Sequence, residues 1–249
     1  MKSKMLAANW KMNLNLQEAS ELFADFLETL PTHETNRYVI FAPFVFLPQL
    51  SLYNSFIELG AQNFYPADKG AFTGEISISQ LKELHVSVVL IGHSERRNHF
   101  FESNEFIKQK VDCALAHQMK VVFCCGESLE NRDSNLHLQF IEEQLKASLF
   151  HISQENMLNC SIAYEPIWSI GTGRTASIEQ IEEMHSSIRN LIARQYDEST
   201  AQSVAILYGG SCNSKNAEDI FSCPNVNGGL IGGASLTTEE FSLIAHQLN

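Results

Sequence analysis

Short apolar runs alternate along the chain with longer stretches of helical period. The runs Met5–Trp10, Tyr38–Ala42, Leu59–Asn63, Val86–Gly92, Lys120–Cys125, Cys160–Glu165, Val204–Gly209 and Asn227–Gly232 predict eight strands. Several are apolar at successive positions, as in Val-Val-Phe-Cys-Cys, which is the pattern of parallel strands covered on both faces. Between them lie amphipathic segments with helix-start signals. Asn15, with Glu18 three residues on, precedes a stripe of Ala19, Leu22, Phe23, Phe26, Leu27 and Leu30. Ser177 with Gln180 stands ahead of Ile181, His185, Ile188, Leu191 and Ile192, and Thr237 with Glu240 ahead of Phe241, Ile244, Ala245 and Leu248. Both pairs have capping-box spacing. Leu138, Ile141, Leu145 and Leu149 stripe a fourth helix.

Eight strand–helix units in 249 residues average about 31 residues each, the size of right-handed βαβ units. The expected fold is α/β: a (β/α)8 barrel of eight parallel strands surrounded by helices, one domain over residues 1–249. No Pro/Gly/Ser-rich linker divides the chain. The rival, a doubly wound open sheet, would carry a dinucleotide fingerprint after its first strand, where Asn9-Trp10-Lys11-Met12-Asn13 stands instead.

At 44% hydrophobic and 18% charged residues the chain has ample material for a core. Its formal net charge of −12 argues against nucleic acid and anionic membrane as partners, because phosphate-tracking surfaces are basic. An anionic ligand must then be held locally, by backbone N–H groups or by one or two placed cations. Six cysteines are scattered without metal-ligand or disulfide spacing, so they are expected reduced and mostly packed, with no metal site. The N-terminal apolar run is too short for a signal core or a membrane span, which makes the cytoplasm the default location.

In a barrel of this kind the residues that follow the strands converge on one face. Those positions hold Asn9 and Lys11 after the first strand, His93 after the fourth, Glu165 after the sixth, Ser211 after the seventh and Gly232-Gly233 after the eighth. A carboxylate to take a proton, and an imidazole or ammonium to stabilise the oxygen that gains charge, suit proton transfer beside a carbonyl. The glycine-rich turns Gly209-Gly210-Ser211 and Gly232-Gly233-Ala234 would let backbone N–H groups approach a phosphate. Pro166 through Gly173 reads as an apolar lid with hinge residues at both ends. Gly171-Thr172-Gly173-Arg174-Thr175-Ala176 fits a dinucleotide motif by letter only, since it does not open a turn directly after a strand.

Several segments together resemble the triosephosphate isomerase family. They are Asn9-Trp10-Lys11-Met12-Asn13, Gly92-His93-Ser94-Glu95-Arg96-Arg97, Cys124-Cys125-Gly126-Glu127, Ala163 through Gly173, Tyr208-Gly209-Gly210-Ser211 and Gly232-Gly233-Ala234-Ser235-Leu236. The likeness runs through the whole chain in order. It implies a cofactor-free interconversion of dihydroxyacetone phosphate and glyceraldehyde 3-phosphate through an enediolate. By the same resemblance Glu165 is the base, His93 the neutral electrophile, Lys11 the substrate-binding cation and Asn9 a polarising amide. Gly171, Ser211, Gly232 and Gly233 match the phosphate cradle, and Glu95 the acidic residue beside the histidine. Triosephosphate isomerases are the standard worked example of a neutral imidazole set by a helix N-terminus, so that assignment is inherited from the family. Gly70 through Glu75 resembles the family's protruding third loop, which implies a homodimer with Thr73 and Met12 in its interface. Departures are Cys125 for an aliphatic residue, Cys212 for Val, Asn227 for Asp and Arg174 for Lys.

Each feature has a plainer reading when taken alone. A His after an apolar strand is more often structural, Arg96 and Arg97 are ion-pair or interface residues before they are ligands, Trp168 packs the lid, and Cys124-Cys125 is core. Two rival functions remain: a non-catalytic binding barrel, which has no need of base, electrophile and lid together, and a Schiff-base aldolase, for which no strand-borne lysine is suitably placed.

Overall fold

The computed structural model describes residues 4–34, 36–53, 55–169 and 175–248. Eight parallel strands close in chain order into a barrel, β1 pairing with both β2 and β8. They are β1 (Lys4–Asn9), β2 (Asn36–Ala42), β3 (Glu58–Ala61), β4 (Val88–Ile91), β5 (Lys120–Cys125), β6 (Cys160–Tyr164), β7 (Ile206–Tyr208) and β8 (Gly228–Ile231). The expected runs overshoot at the C-terminal ends, because Gly92, Glu165, Gly209 and Gly232 have already left the ladder. Those are the residues that build the mouth of the barrel.

Alternation along the strands sorts side chains into two cores. Met5, Ala7, Val39, Phe41, Val122, Cys124 and Ala163 fill the barrel interior. Leu6, Ala8, Ile40, Phe123, Cys125 and Tyr164 face the surrounding helices. The interior parity of Ala7 and Ala163, continued by two residues, brings Asn9 and Glu165 to the cavity at the C-terminal mouth.

The helices start largely where their caps indicate. Capping boxes form at Asn15–Glu18 and at Ser177–Gln180, opening helices Leu16–Thr29 and Ile178–Gln195. Thr237 is an N-cap without a side-chain cap bond, and the Glu240 carboxylate accepts from the Ser214 N–H and hydroxyl, both at 3.1 Å. Leu138 is exposed, whereas Ile141, Leu145 and Leu149 are buried as their stripe requires. The cysteines are free, and Cys124 and Cys125 lie in different cores, as alternation demands.

Asn227 bridges Arg189 and β7. Its Oδ1 accepts from Arg189 Nη2 at 2.6 Å and from the Ile206 N–H at 3.0 Å. Arg189 Nη1 donates to the carbonyls of Ala201 and Val204, so the guanidinium sits among oxygen dipoles, and burial holds it below its ordinary value.

Behind the site, fully buried His185 packs edge-on against Tyr164, and burial holds its imidazole down to about 3 from the ordinary 6.5. Between those values the unfolded chain binds the proton that the folded chain refuses, so stability falls as the pH falls. The expected loss is about 1.4 kcal/mol per pH unit from this group. Denaturant unfolding of the protein and of His185→Phe at pH 7 and pH 4.5 measures it: the variant loses less stability between the two. Equal losses would remove His185 as a cause.

Candidate active site

At the C-terminal mouth a cavity of about 500 Å³ is lined by Asn9, Lys11, His93, Glu95, Glu165, Ser211, Gly232 and Gly233, residues brought from five different strand ends. Gly171 and the second half of the expected lid, residues 170–173, lie outside the described residues, as does residue 174. Thr73 and Met12 are not among the residues that line it, and both are exposed.

Lys11 has a left-handed backbone, φ 51°, which is uncommon for a residue with a side chain. Two bonds hold it there: its N–H donates to Asn9 Oδ1 at 3.1 Å, and its carbonyl accepts from Gln62 Nε2 at 2.9 Å. The ammonium then lies 2.7 Å from Glu95 Oε1. Burial works against the Glu95 carboxylate, but the Lys11 hydrogen bond and charge, with His93 beside them, hold it below the usual carboxylate range.

His93 is the N-cap of the helix Ser94–His99, and its Nδ1 accepts from the Glu95 N–H at 3.3 Å. In the neutral ring that leaves the proton on Nε2, which faces Glu165 Oε1 at 2.9 Å. The other carboxylate oxygen accepts from the Ser94 N–H, also at 2.9 Å. Burial by itself lowers the imidazole; the facing Glu165 carboxylate more than offsets this, and the ring sits above its ordinary value.

Glu165 is almost fully buried, and its placement depends on a backbone contact. Its N–H donates to the Cys125 carbonyl at 2.8 Å, and a Cβ at Gly126 would overlap its carbonyl oxygen, so only glycine fits there. Gln144 brackets Gly126, accepting from its N–H at 3.1 Å and donating to its carbonyl at 3.2 Å. Beyond Glu165 the chain is tied to buried Glu127, whose Oε1 accepts from Tyr164, Trp168 and Arg132 at 2.9, 2.9 and 3.0 Å. Trp168 therefore anchors the start of the expected lid.

On the glycine side Ser211 donates to the Ser169 carbonyl at 2.8 Å, linking the β7 turn to the segment after Glu165. Lys11 Nζ would stand 3.9 Å from a Cβ at Gly232, so the cation faces the glycine turn. Cys212 also lines the cavity, and burial pushes its thiol up to about 12, leaving almost no thiolate at neutral pH. Arg96 is ion-paired as the plain reading expects, with Glu102 at 2.6 Å; Arg97 binds carbonyls.

Gln62, Gly126, Gln144 and the Ser94 amide were not singled out as site residues from the sequence. Gln62 follows β3 directly and is polar, so the strand-end rule could have found it. The others are bonds made by backbone groups or from a helix, and residue type does not signal them.

The fold and this cavity define a (β/α)8 protein with carboxylate, imidazole and ammonium gathered beside glycine-rich turns. The family model described as triosephosphate isomerase matches residues 4–248. A protein named triosephosphate isomerase from Flavobacterium psychrophilum is 44% identical over 248 residues, 99% of each chain. One of the same name from Flavobacterium johnsoniae is 46% identical over 98% of each, and one from Finegoldia magna 44% over 97% of each. The chain belongs to the triosephosphate isomerase family.

Proposed function

We propose that the protein interconverts dihydroxyacetone phosphate and D-glyceraldehyde 3-phosphate without a cofactor, by proton transfer through an enediolate. The supporting observation is the pair of Glu165 and His93, facing each other at 2.9 Å in a cavity that also holds Lys11. Glu165 takes the proton from the carbon beside the carbonyl and returns it to the neighbouring carbon. His93, through Nε2–H, and the Asn9 amide donate to the oxygens that gain charge. Lys11 offsets the charge of phosphate and enediolate, Glu95 orients Lys11, and Ser211, Gly232 and Gly233, with Gly171, cradle the phosphate.

In this reading Glu165 leaves the Ser94 N–H when it turns to the substrate. The Glu165 charge and hydrogen bond that raise His93 leave with it, while burial and the Lys11 charge, which lower the ring, remain beside the Glu95 charge, which raises it. The base in its working position thus favours the neutral imidazole that can donate from Nε2 without giving up its proton outright.

The reading takes residues 1–249 as one barrel domain in a cytoplasmic homodimer. No described helix is long and apolar enough to cross a membrane. Met12, Val45, Phe100 and Phe101 are exposed by 97, 70, 63 and 85%, apolar surface that a second copy would cover. Exposed Thr73 lies within that interface in this reading. Thr73→Arg is then expected to weaken the dimer by placing a bulky charge in the contact; an unchanged mass on sedimentation at low concentration would contradict the assignment.

Turnover of glyceraldehyde 3-phosphate in buffer containing chelator and no nucleotide tests the activity. Conversion to dihydroxyacetone phosphate is expected. Its absence in a folded dimer would favour a binding barrel.

A further inference from the structure

β4 and β5 part after the pair Ile91–Phe123. Gly92 turns out of the ladder at φ 78°, a left-handed conformation suited to glycine. β5 runs on through Cys124 and Cys125, paired with β6 alone. Carbonyls alternate in direction along a strand: that of Cys125 accepts from Glu165 on the β6 side, so that of Cys124 points to where β4 has departed.

Arg97 fills that place. From the helix Ser94–His99 it folds back beneath the turn, Nε donating to the Gly92 carbonyl at 2.7 Å and Nη2 to the Cys124 carbonyl at 3.2 Å. Nη1 donates to Asn104 Oδ1 at 2.7 Å, which fixes the plane of the guanidinium. Both halves of the acid–base pair hang from the two bridged carbonyls. Gly92 leads directly into His93 and Ser94, which hold the Glu165 carboxylate, and Cys124 leads into Cys125, which holds the Glu165 backbone.

We propose that Arg97 is a positioning residue for the proton transfer: its guanidinium replaces the missing β4–β5 ladder and fixes the turn from which His93 Nε2 donates to the substrate and whose Ser94 N–H holds Glu165 at rest. It does not line the cavity that would hold substrate. Three donors in a rigid plane are required, which a lysine ammonium does not supply. The inference rests on the reading that His93 and Glu165 carry the reaction.

The test is kcat and KM, measured separately, for Arg97→Lys and Asn104→Ala, beside His93→Gln and Glu165→Gln. In Arg97→Lys, kcat is expected to fall by about 10²-fold, the loss attached to a displacement of about 1 Å. KM should change by less than about threefold, because the phosphate cradle is untouched. Asn104→Ala, which keeps both carbonyl bonds, should lose less of kcat in the same pattern. A lowered Tm with unchanged kcat in Arg97→Lys would overturn the proposal, leaving Arg97 a purely structural role while the inactive His93 and Glu165 variants upheld the reading beneath it. Should Arg97→Lys fail to fold, an unchanged kcat in Asn104→Ala overturns it. Full activity in His93→Gln or Glu165→Gln would overturn that reading and the inference with it.

Discussion

Glu165→Gln is expected to lower kcat by about 10²–10⁴-fold, the range of a positioned general base. The amide keeps the shape of the carboxylate, and its oxygen can still accept from the Ser94 N–H, a bond the carboxylate makes at 2.9 Å. The Cys125–Glu165 backbone bond and the Gly126 contact do not depend on the side chain. Folding and substrate affinity should therefore survive, and the loss should appear in kcat with KM little changed. Steady-state kinetics with a thermal melt distinguishes this from collapse of the site: near-normal turnover would remove Glu165 from its role.

Lys11→Met is expected to reduce kcat/KM by about 10³-fold. Among the described residues lining the cavity, Lys11 is the only lysine or arginine, in a protein whose formal net charge is −12. A unit charge about 4 Å from an opposite one is worth on the order of 4 kcal/mol at a near-surface permittivity of about 20, which is about three decades in rate. Methionine keeps most of the apolar stem but leaves Glu95 without its partner at 2.7 Å, so a carboxylate then faces the anionic substrate. The wild-type kcat/KM should fall with added salt and the variant's much less. A loss within about tenfold would show that backbone N–H groups carry the anion instead.

The barrel was legible because parallel strands must be apolar on both faces, and Val88–Ile91 and Lys120–Cys125 read accordingly. Their ends were less so. Gly92 adjoins the apolar run of its strand, yet it turns out of the ladder through a left-handed backbone that alternation does not encode. Thr237 shows a related limit: its capping partner Glu240 serves Ser214, 26 residues away in sequence. The cavity-lining residues Asn9, Lys11, His93 and Glu165 were reachable from the strand-end rule and the family resemblance. Gln62, which holds the Lys11 backbone across 51 residues, was within reach of the same rule, whereas Arg97, which bridges 27, was not, because it acts from a helix through carbonyls that every residue possesses.

The most direct measurement is exchange of the C1 hydrogen of dihydroxyacetone phosphate with deuterium in D2O, followed by proton NMR in the wild type and in Glu165→Gln. A carboxylate that removes the C1 proton and shares it with solvent before returning it should place deuterium on one face of C1 in the wild type. In the variant the incorporation should slow in proportion to kcat. Wild-type isomerisation with no incorporation of solvent deuterium into substrate or product, together with undiminished isomerisation by Glu165→Gln, would contradict proton transfer through Glu165 and an enediolate.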